Sequence, residues 1–288
     1  MKLKGKVALI TGGGRGIGQA IALTFAREGA SVALASRTPS ELAETVSKVK
    51  ELGGDAVSAK ADVSQINDVN RLIAYVIEKY SQIDILVNCA GIFGPIGPLV
   101  KNDPAKWIET ININLIGTVL CCRAVLPYMM AQKSGKMINL SGGGAASPHP
   151  NFSAYGTSKA AIVRFTETLS QELKEFNIQV NAIAPGGIAT RLQDEVIAAG
   201  DLAGKEALAY AKKIKSSGGT SLDKPAELAL FLASNESCGL TGKFISAVWD
   251  DWQKFGGHIP EISSSDLYTL RRITVVHSSL SDKTCLEK

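Results

Sequence analysis

The 288-residue sequence has only five cysteines, Cys89, Cys121, Cys122, Cys238 and Cys285, an odd number with no CxxC pair among them. That pattern gives no support to a disulfide framework or to a metal site, and it fits thiols kept reduced in the cytoplasm. Charge of one sign is scarce too: 31 Lys+Arg stand against 27 Asp+Glu, a net +4 spread along the chain. A surplus so small and dispersed argues against nucleic acid or a membrane surface as a partner. Long apolar runs are missing as well. Behind the basic N-terminus only residues 7–10 are apolar before Thr11, too short a run for a signal peptide. The most apolar stretch, residues 111–130, is interrupted by Asn112, Asn114, Arg123 and Pro127 and does not read as a membrane span. No repeat and no Pro-, Gly- or Ser-rich linker divides the chain.

What is present is glycine, 28 residues or about a tenth of the chain, and a 45% hydrophobic share that can fill a sizeable core. Short apolar runs at 7–10, 31–35, 56–59, 83–87, 136–140, 178–184 and 244–248 read as strands. Segments of helical period stand between them at 16–28, 40–51, 66–80, up to 130, and 153–176. Strands that are apolar without alternation are covered on both faces, so the expectation is an α/β fold: one doubly wound, mainly parallel sheet with helices on both sides. The domain is expected over residues 1–250. An Ala- and Lys-rich helical insertion at about 188–217 reads as a lid, and residues 251–288 as a C-terminal extension with a frayed end.

Between the first strand and first helix stands Thr11-Gly-Gly-Gly-Arg-Gly-Ile-Gly18. Glycines at 12, 16 and 18 permit a tight turn and close backbone approach, and the helix N-terminus offers free N–H groups to a pyrophosphate. Gly12, Gly14, Arg15, Gly16, Ile17 and Gly18 are therefore candidate cofactor-binding residues. The second strand ends in Leu34-Ala-Ser-Arg-Thr38, without the carboxylate that an NAD site places against the ribose. Arg37, Ser36 and Arg15 can instead serve a 2′-phosphate, which favours NADP(H) over NAD(H).

In Phe152-Ser-Ala-Tyr-Gly-Thr-Ser-Lys159, Tyr155 and Lys159 stand one helical turn apart on one face. An ammonium beside a phenol lowers the phenol's pKa from about 10, poising Tyr155 to exchange a proton with a carbonyl or alcohol oxygen during hydride transfer.

Together these motifs closely resemble the short-chain dehydrogenase/reductase family over about residues 4–248. The resemblance rests on Thr11-Gly-x-x-x-Gly-x-Gly18, Ala61-Asp-Val63, Asn88-Cys-Ala-Gly91, Asn114-x-x-Gly117, Tyr155-x-x-x-Lys159 and Pro185-Gly-x-x-x-Thr190. It implies a Rossmann-type fold with a seven-stranded sheet, assembled as a homotetramer or homodimer. It places Asp62 and Val63 by the adenine, and Asn88, Ala90 and Gly91 behind the cofactor. Lys159 would hold the nicotinamide ribose, and Pro185, Gly186, Ile188 and Thr190 the carboxamide and phosphate region. Asn114 would position the water of a proton relay ending at Lys159; a helix-interior Asn bonded to backbone is the alternative.

The chain departs from the family at the catalytic serine. That residue stands thirteen positions before the tyrosine, where this chain has Gly142. Ser141 is one residue early and on a strand would face the other way, unless the Gly142-Gly-Gly144 backbone bulges to swing it in. A backbone N–H, a water, Ser147 or Ser153 are the alternatives. Trp249 and Trp252 replace the usual end of the last strand and read as aromatics capping the sheet, with lining of the pocket as the alternative. His149 reads as structural. The expected activity is an NADP(H)-dependent interconversion of a small-molecule carbonyl and a secondary alcohol; the resemblance also admits β-ketoacyl thioester reduction, which no residue singles out. A dinucleotide-binding sensor or scaffold with little turnover is the alternative, which the Gly142 slot favours.

Overall fold

Seven short, mostly buried segments, β1 (Val7–Thr11), β2 (Ser31–Ser36), β3 (Ala56–Lys60), β4 (Ile85–Asn88), β5 (Gly135–Leu140), β6 (Ile178–Ala184) and β7 (Phe244–Ser246), pair in parallel in the order β3-β2-β1-β4-β5-β6-β7. The computed structural model describes residues 1–272 of this single α/β domain. Parallel strands need covered crossovers, and the helices supply them on both faces. On one face α1 (Gly16–Arg27), α2 (Pro39–Glu51) and α9 (Asp223–Ala233) bury Phe25, Leu42 and Leu228 against the sheet. On the other, α3 (Ile66–Tyr80), α5 (Gly117–Gln132) and α6 (Ser153–Glu172) bury Leu72, Val125 and Leu169. Each fully buried side chain of this size stabilises by about 1.5–3 kcal/mol. The order reverses between β1 and β4, which opens a crevice at the strands' carboxyl ends.

The apolar stretch around residues 111–130 belongs to one continuous helix, Pro104–Gln132, which runs through α4 (Pro104–Ile111), a π turn at Asn112–Ile116 and α5. By length and composition alone this helix could cross a membrane, one 18-residue window of it having a mean hydropathy of 1.5. Its packing gives it another role here: Cys121, Cys122, Val125 and Met129 are buried in the sheet's core. Gly117 is required at the π turn's exit, where a Cβ would come within 2.6 Å of Val63 Cγ2.

The helical insertion expected at about 188–217 is built of two helices, α7 (Arg191–Ala199) and α8 (Lys205–Ser217). Gly200 and Gly204, with φ of 57° and 85°, break it, a conformation that glycine adopts without strain. Residues 251–272 of the extension fold onto the domain. Trp252 stacks at 5.7 Å on Phe231, and α10 (Ile259–Ser264) buries Ile259 and Ile262. Trp249 differs from expectation, standing 84% exposed rather than capping the sheet. The Tyr268 carbonyl accepts from Phe244 N at 2.7 Å and so covers the β7 edge. The end expected to fray, residues 278–288, lies outside the described residues.

Candidate functional site

At the switch point a cavity of about 450 Å³ opens among Gly12, Gly14, Arg15, Gly16, Ile17 and Gly18 on one side and Cys89, Ala90 and Gly91 on the other. Ser36, Arg37, Asp62, Val63 and Thr190 also line it, so one cavity collects residues foreseen from five separate motifs. Asn88, Pro185, Gly186 and Ile188 stand back from its wall. Asn88 is buried, its Nδ2 donating to Asn139 Oδ1 at 2.9 Å while its own Oδ1 has no partner among the described residues. Gly186, with φ 89°, makes way for Val248, and Ile188 bridges to Gly219.

The glycine loop fits a dinucleotide. A Cβ at Gly18 would lie 2.3 Å from the Gly12 carbonyl, and one at Gly12 would lie 2.9 Å from Ala90 N, so the turn closes only without side chains. The helix α1 that follows carries no side-chain cap, and its first N–H groups are directed to the cavity end as an anion site requires. Gly12, Gly16 and Gly18 with the α1 N-terminus would hold the pyrophosphate, and Asp62 and Val63 the adenine side. Asp62 Oδ1 is itself steadied by Ser64, accepting from its N at 3.0 Å and its Oγ at 2.7 Å.

At the far end of β2, Ser36 Oγ and the Thr38 backbone bond each other at 3.2 and 3.3 Å, which fixes the turn that presents Arg37. Arg37 is exposed and makes no ion pair among the described residues. Arg15 lines the same cavity but is already paired. Its guanidinium pairs at 3.1 Å with Glu41, a residue of α2 that no motif singled out. Arg191, the first residue of α7, pairs with the same carboxylate at 3.0 Å.

The inner end of the site is built on α6. Tyr155 sits under an apolar roof: its ring meets Phe93 edge-on at 4.5 Å, and Leu192, Val196 and Ala203 of the lid region close the same cluster. Lys159 is 5% exposed, its Nζ held by the Leu140 carbonyl at 2.8 Å and 5.5 Å from the centre of the Tyr155 ring. A Cβ at Gly91 would fall 3.5 Å from Lys159 Nζ and 3.2 Å from Asn114 Oδ1, so these three positions meet where the cavity wall ends. Asn114 is fully buried in the π turn. Its amide clasps the Ile92 backbone in both directions at 2.9 Å and donates to Ser158 Oγ at 3.0 Å. It thereby sets the position of the Gly91–Ile92 loop, the backbone-bonded alternative for this residue.

Two expectations need correction. Spacing alone suggested that Lys159 lowers the Tyr155 pKa. Burial dominates instead: it raises the Tyr155 phenol, and with it pushes the Lys159 ammonium down to about 8. Cys89 faces the same interior and is pushed up to about 11 by burial, so it is a neutral thiol. The second concerns Ser141. It is 2% exposed, and its Oγ donates to the Lys159 carbonyl at 2.9 Å, as strand alternation would have it. The glycine run does not swing it toward Tyr155; it braces the helix that carries Lys159. Gly142 occupies the position beside the tyrosine: a Cβ there would stand 2.9 Å from Tyr155 Oη. His149 packs on Phe152 at 4.2 Å, and burial lowers its pKa.

A doubly wound sheet of this order, with a glycine loop at its switch point and a Tyr-Lys pair at the inner end of the cleft, defines a dinucleotide-dependent oxidoreductase. Residues 6–200 match the family described as short chain dehydrogenase. The chain is 38% identical over 242 residues to the short-chain reductase protein NovJ of Streptomyces niveus, covering 83% of this chain and 91% of that protein. It is 35% identical over 245 residues to the 3-oxoacyl-[acyl-carrier-protein] reductase FabG of Thermotoga maritima, covering 85% and 97%. Among solved structures, NAD+-bound xylitol dehydrogenase superposes with a TM-score of 0.80 at 30% identity, covering 85% of this chain and 98% of that one. The chain belongs to the short-chain dehydrogenase/reductase family and is an NAD(P)-dependent oxidoreductase acting between a carbonyl and an alcohol on a small-molecule substrate.

Proposed function

We propose that the protein is an NADP(H)-dependent reductase of a carbonyl compound, with Tyr155 as the general acid/base. The observation that carries this reading is the meeting of Lys159, Asn114 and Gly91 at the cavity's inner end, one helical turn from Tyr155. NADPH, when bound, supplies the hydride. Tyr155 Oη gives its proton to the substrate oxygen, and burial keeps that proton in place until the carbonyl takes it. Lys159, fixed by the Leu140 carbonyl, holds the ribose and presents its cation beside the phenol. Asn114 keeps the Gly91–Ile92 backbone in place, so that the relay ending at Lys159 has a fixed wall. Thr190, which lines the cavity, closes the cofactor's nicotinamide end, with Ile188 behind it. Arg37, presented free at the end of β2, supports the 2′-phosphate. Free thiols at Cys89, Cys121, Cys122 and Cys238 suit a cytoplasmic location.

The test is consumption of NADPH, and separately of NADH, against a panel of ketones and a 3-oxoacyl thioester, the last because FabG of Thermotoga maritima is named for such a substrate. Turnover with NADPH supports the reading; tight NADPH binding with no turnover on any carbonyl overturns it in favour of a dinucleotide-binding sensor.

The pH dependence follows from Lys159. Its cation, present below about 8, is lost as pH rises through that value, while Tyr155 stays protonated beyond it. The kcat/KM of reduction reports free-enzyme groups, so it is expected to fall through about pH 8, and Lys159→Arg to move the fall upward. A flat profile from about pH 7 to 9.5 counts against this role for Lys159.

The reading also includes assembly as a homodimer or homotetramer. Ile108, Ile116 and Tyr128 are exposed along a helix whose opposite side already covers the sheet. Light scattering is expected to give a multiple of the chain mass of 30.4 kDa, and a monomer overturns this part.

A further inference from the structure

Glu41 joins the glycine loop, the β2 end and the lid at the cofactor cleft. It stands in the first turn of α2, directly after the β2 end that presents Ser36 and Arg37. It reaches back over the glycine loop because Gly14 has no side chain: a Cβ there would lie 2.9 Å from Glu41 Cβ. From that position its Oε1 accepts from Arg15 of the loop at 3.1 Å and from Arg191 of the lid at 3.0 Å. All three residues line the cleft, and the Glu41 side chain is only 18% exposed, while the arginines are 53% and 67% exposed. Thr45, one turn further along α2, donates to the Gly14 carbonyl at 3.1 Å and keeps α2 seated on the loop. The helix that carries the carboxylate is thereby held against the loop.

We propose that Glu41 sets the cofactor selectivity of this protein by holding Arg15 and Arg191 as counter-ions, in competition with the adenosine 2′-phosphate. This rests on the reading of the cleft as an NADP(H) site. A 2′-phosphate at the end of β2 brings about two negative charges close to a carboxylate that is already there. Arg37 has no competing partner among the described residues, but Arg15 and Arg191 must be shared. Their pairs with Glu41 are largely solvent-exposed on the arginine side, so each is weak and exchangeable. An arginine has five donors in a planar fork, which lets it turn from carboxylate to phosphate without leaving the cleft. A cofactor with a 2′-hydroxyl in place of the phosphate brings no such charge and does not compete. Glu41 thus acts against NADP(H) and leaves NAD(H) untouched, which brings the two affinities closer together than Arg37 alone would leave them. Arg191 ties this exchange to the lid, because the guanidinium released from Glu41 is carried by the first residue of α7.

The experiment is equilibrium titration of the full-length protein with NADPH and with NADH, read by energy transfer from tryptophan to the reduced nicotinamide, at low and at moderate salt. Glu41→Gln keeps the shape and removes the charge. It is expected to tighten NADPH by about tenfold at low ionic strength, with the gain shrinking as salt screens it, and to leave NADH within about twofold. Arg191→Gln, made at a 67% exposed side chain, is expected to remove part of that gain when combined with Glu41→Gln. A selectivity ratio unchanged in Glu41→Gln, or a loosening of both cofactors alike, overturns the proposal and leaves the triad as a structural clasp. A wild-type protein that prefers NADH overturns the NADP(H) reading instead. In that case the response of the ratio to Glu41→Gln still decides whether the carboxylate opposes the phosphate.

Discussion

Tyr155→Phe is expected to lower kcat for carbonyl reduction by about a thousandfold, within the range that a positioned general acid supplies, while NADPH binding stays within about twofold of wild type. The variant removes one hydroxyl and nothing else. The ring that remains still meets Phe93 edge-on and still packs under the lid residues Leu192 and Val196. Tyr155 Oη makes no hydrogen bond to the protein among the described residues, so its loss leaves no buried partner unsatisfied and the melting temperature should hold. Lys159 Nζ is anchored on the Leu140 carbonyl rather than on the phenol, so that ammonium also stays where it is. Three measurements made together separate chemistry from binding and folding: single-turnover hydride transfer, NADPH affinity and thermal unfolding. Retention of more than about a tenth of the rate would show that the proton comes from another group.

Much of this site could be read from the sequence, because its elements obey local rules. The seven strands are continuous apolar runs, as strands covered on both faces must be, and the structure finds all seven within one or two residues of their expected bounds. The glycine loop was legible because close backbone contact leaves no alternative to glycine at Gly12 and Gly18. What escaped depends on contacts between distant segments. Helix α9 buries residues on almost every side, so it shows no amphipathic period. Glu41 was missed because attention to the β2 end asks which acid stands on the strand, whereas this acid returns from the next helix over Gly14. The Tyr155 pKa went the other way for the same reason. The i, i+4 spacing shows that Lys159 is near, but the lid and Phe93, which desolvate both groups, come from other parts of the chain. Ser141, a catalytic candidate only if the glycine run swung it in, stays where strand alternation puts it, its hydroxyl on the Lys159 carbonyl of α6.

Gly142→Ser, which would place a serine at the family's position, is expected to lower kcat by about a hundredfold rather than raise it. It should also cost about 1–3 kcal/mol of stability, the usual price of a strained backbone conformation. Gly142 has φ 152°, a conformation that residues with a side chain rarely adopt. A Cβ built on that backbone stands 2.9 Å from Tyr155 Oη, so the phenol must shift before any hydroxyl could help it. A displacement of that kind misaligns the proton donor, and misplacement by about 1 Å is enough for a hundredfold loss. The glycine also leaves one side of the Tyr155 hydroxyl open to a substrate oxygen, with Gly143 beyond it bordering open space. Gly142→Ala separates the two effects: it introduces the Cβ without a hydroxyl and should match the serine variant in both rate and melting temperature. If Gly142→Ser instead turns over faster than wild type while Gly142→Ala is slow, the backbone adapts readily, and the chain lacks the serine without having replaced it. Equal losses in the two variants mean that this site is built around the absence of a side chain, with Tyr155 alone meeting the substrate oxygen from α6.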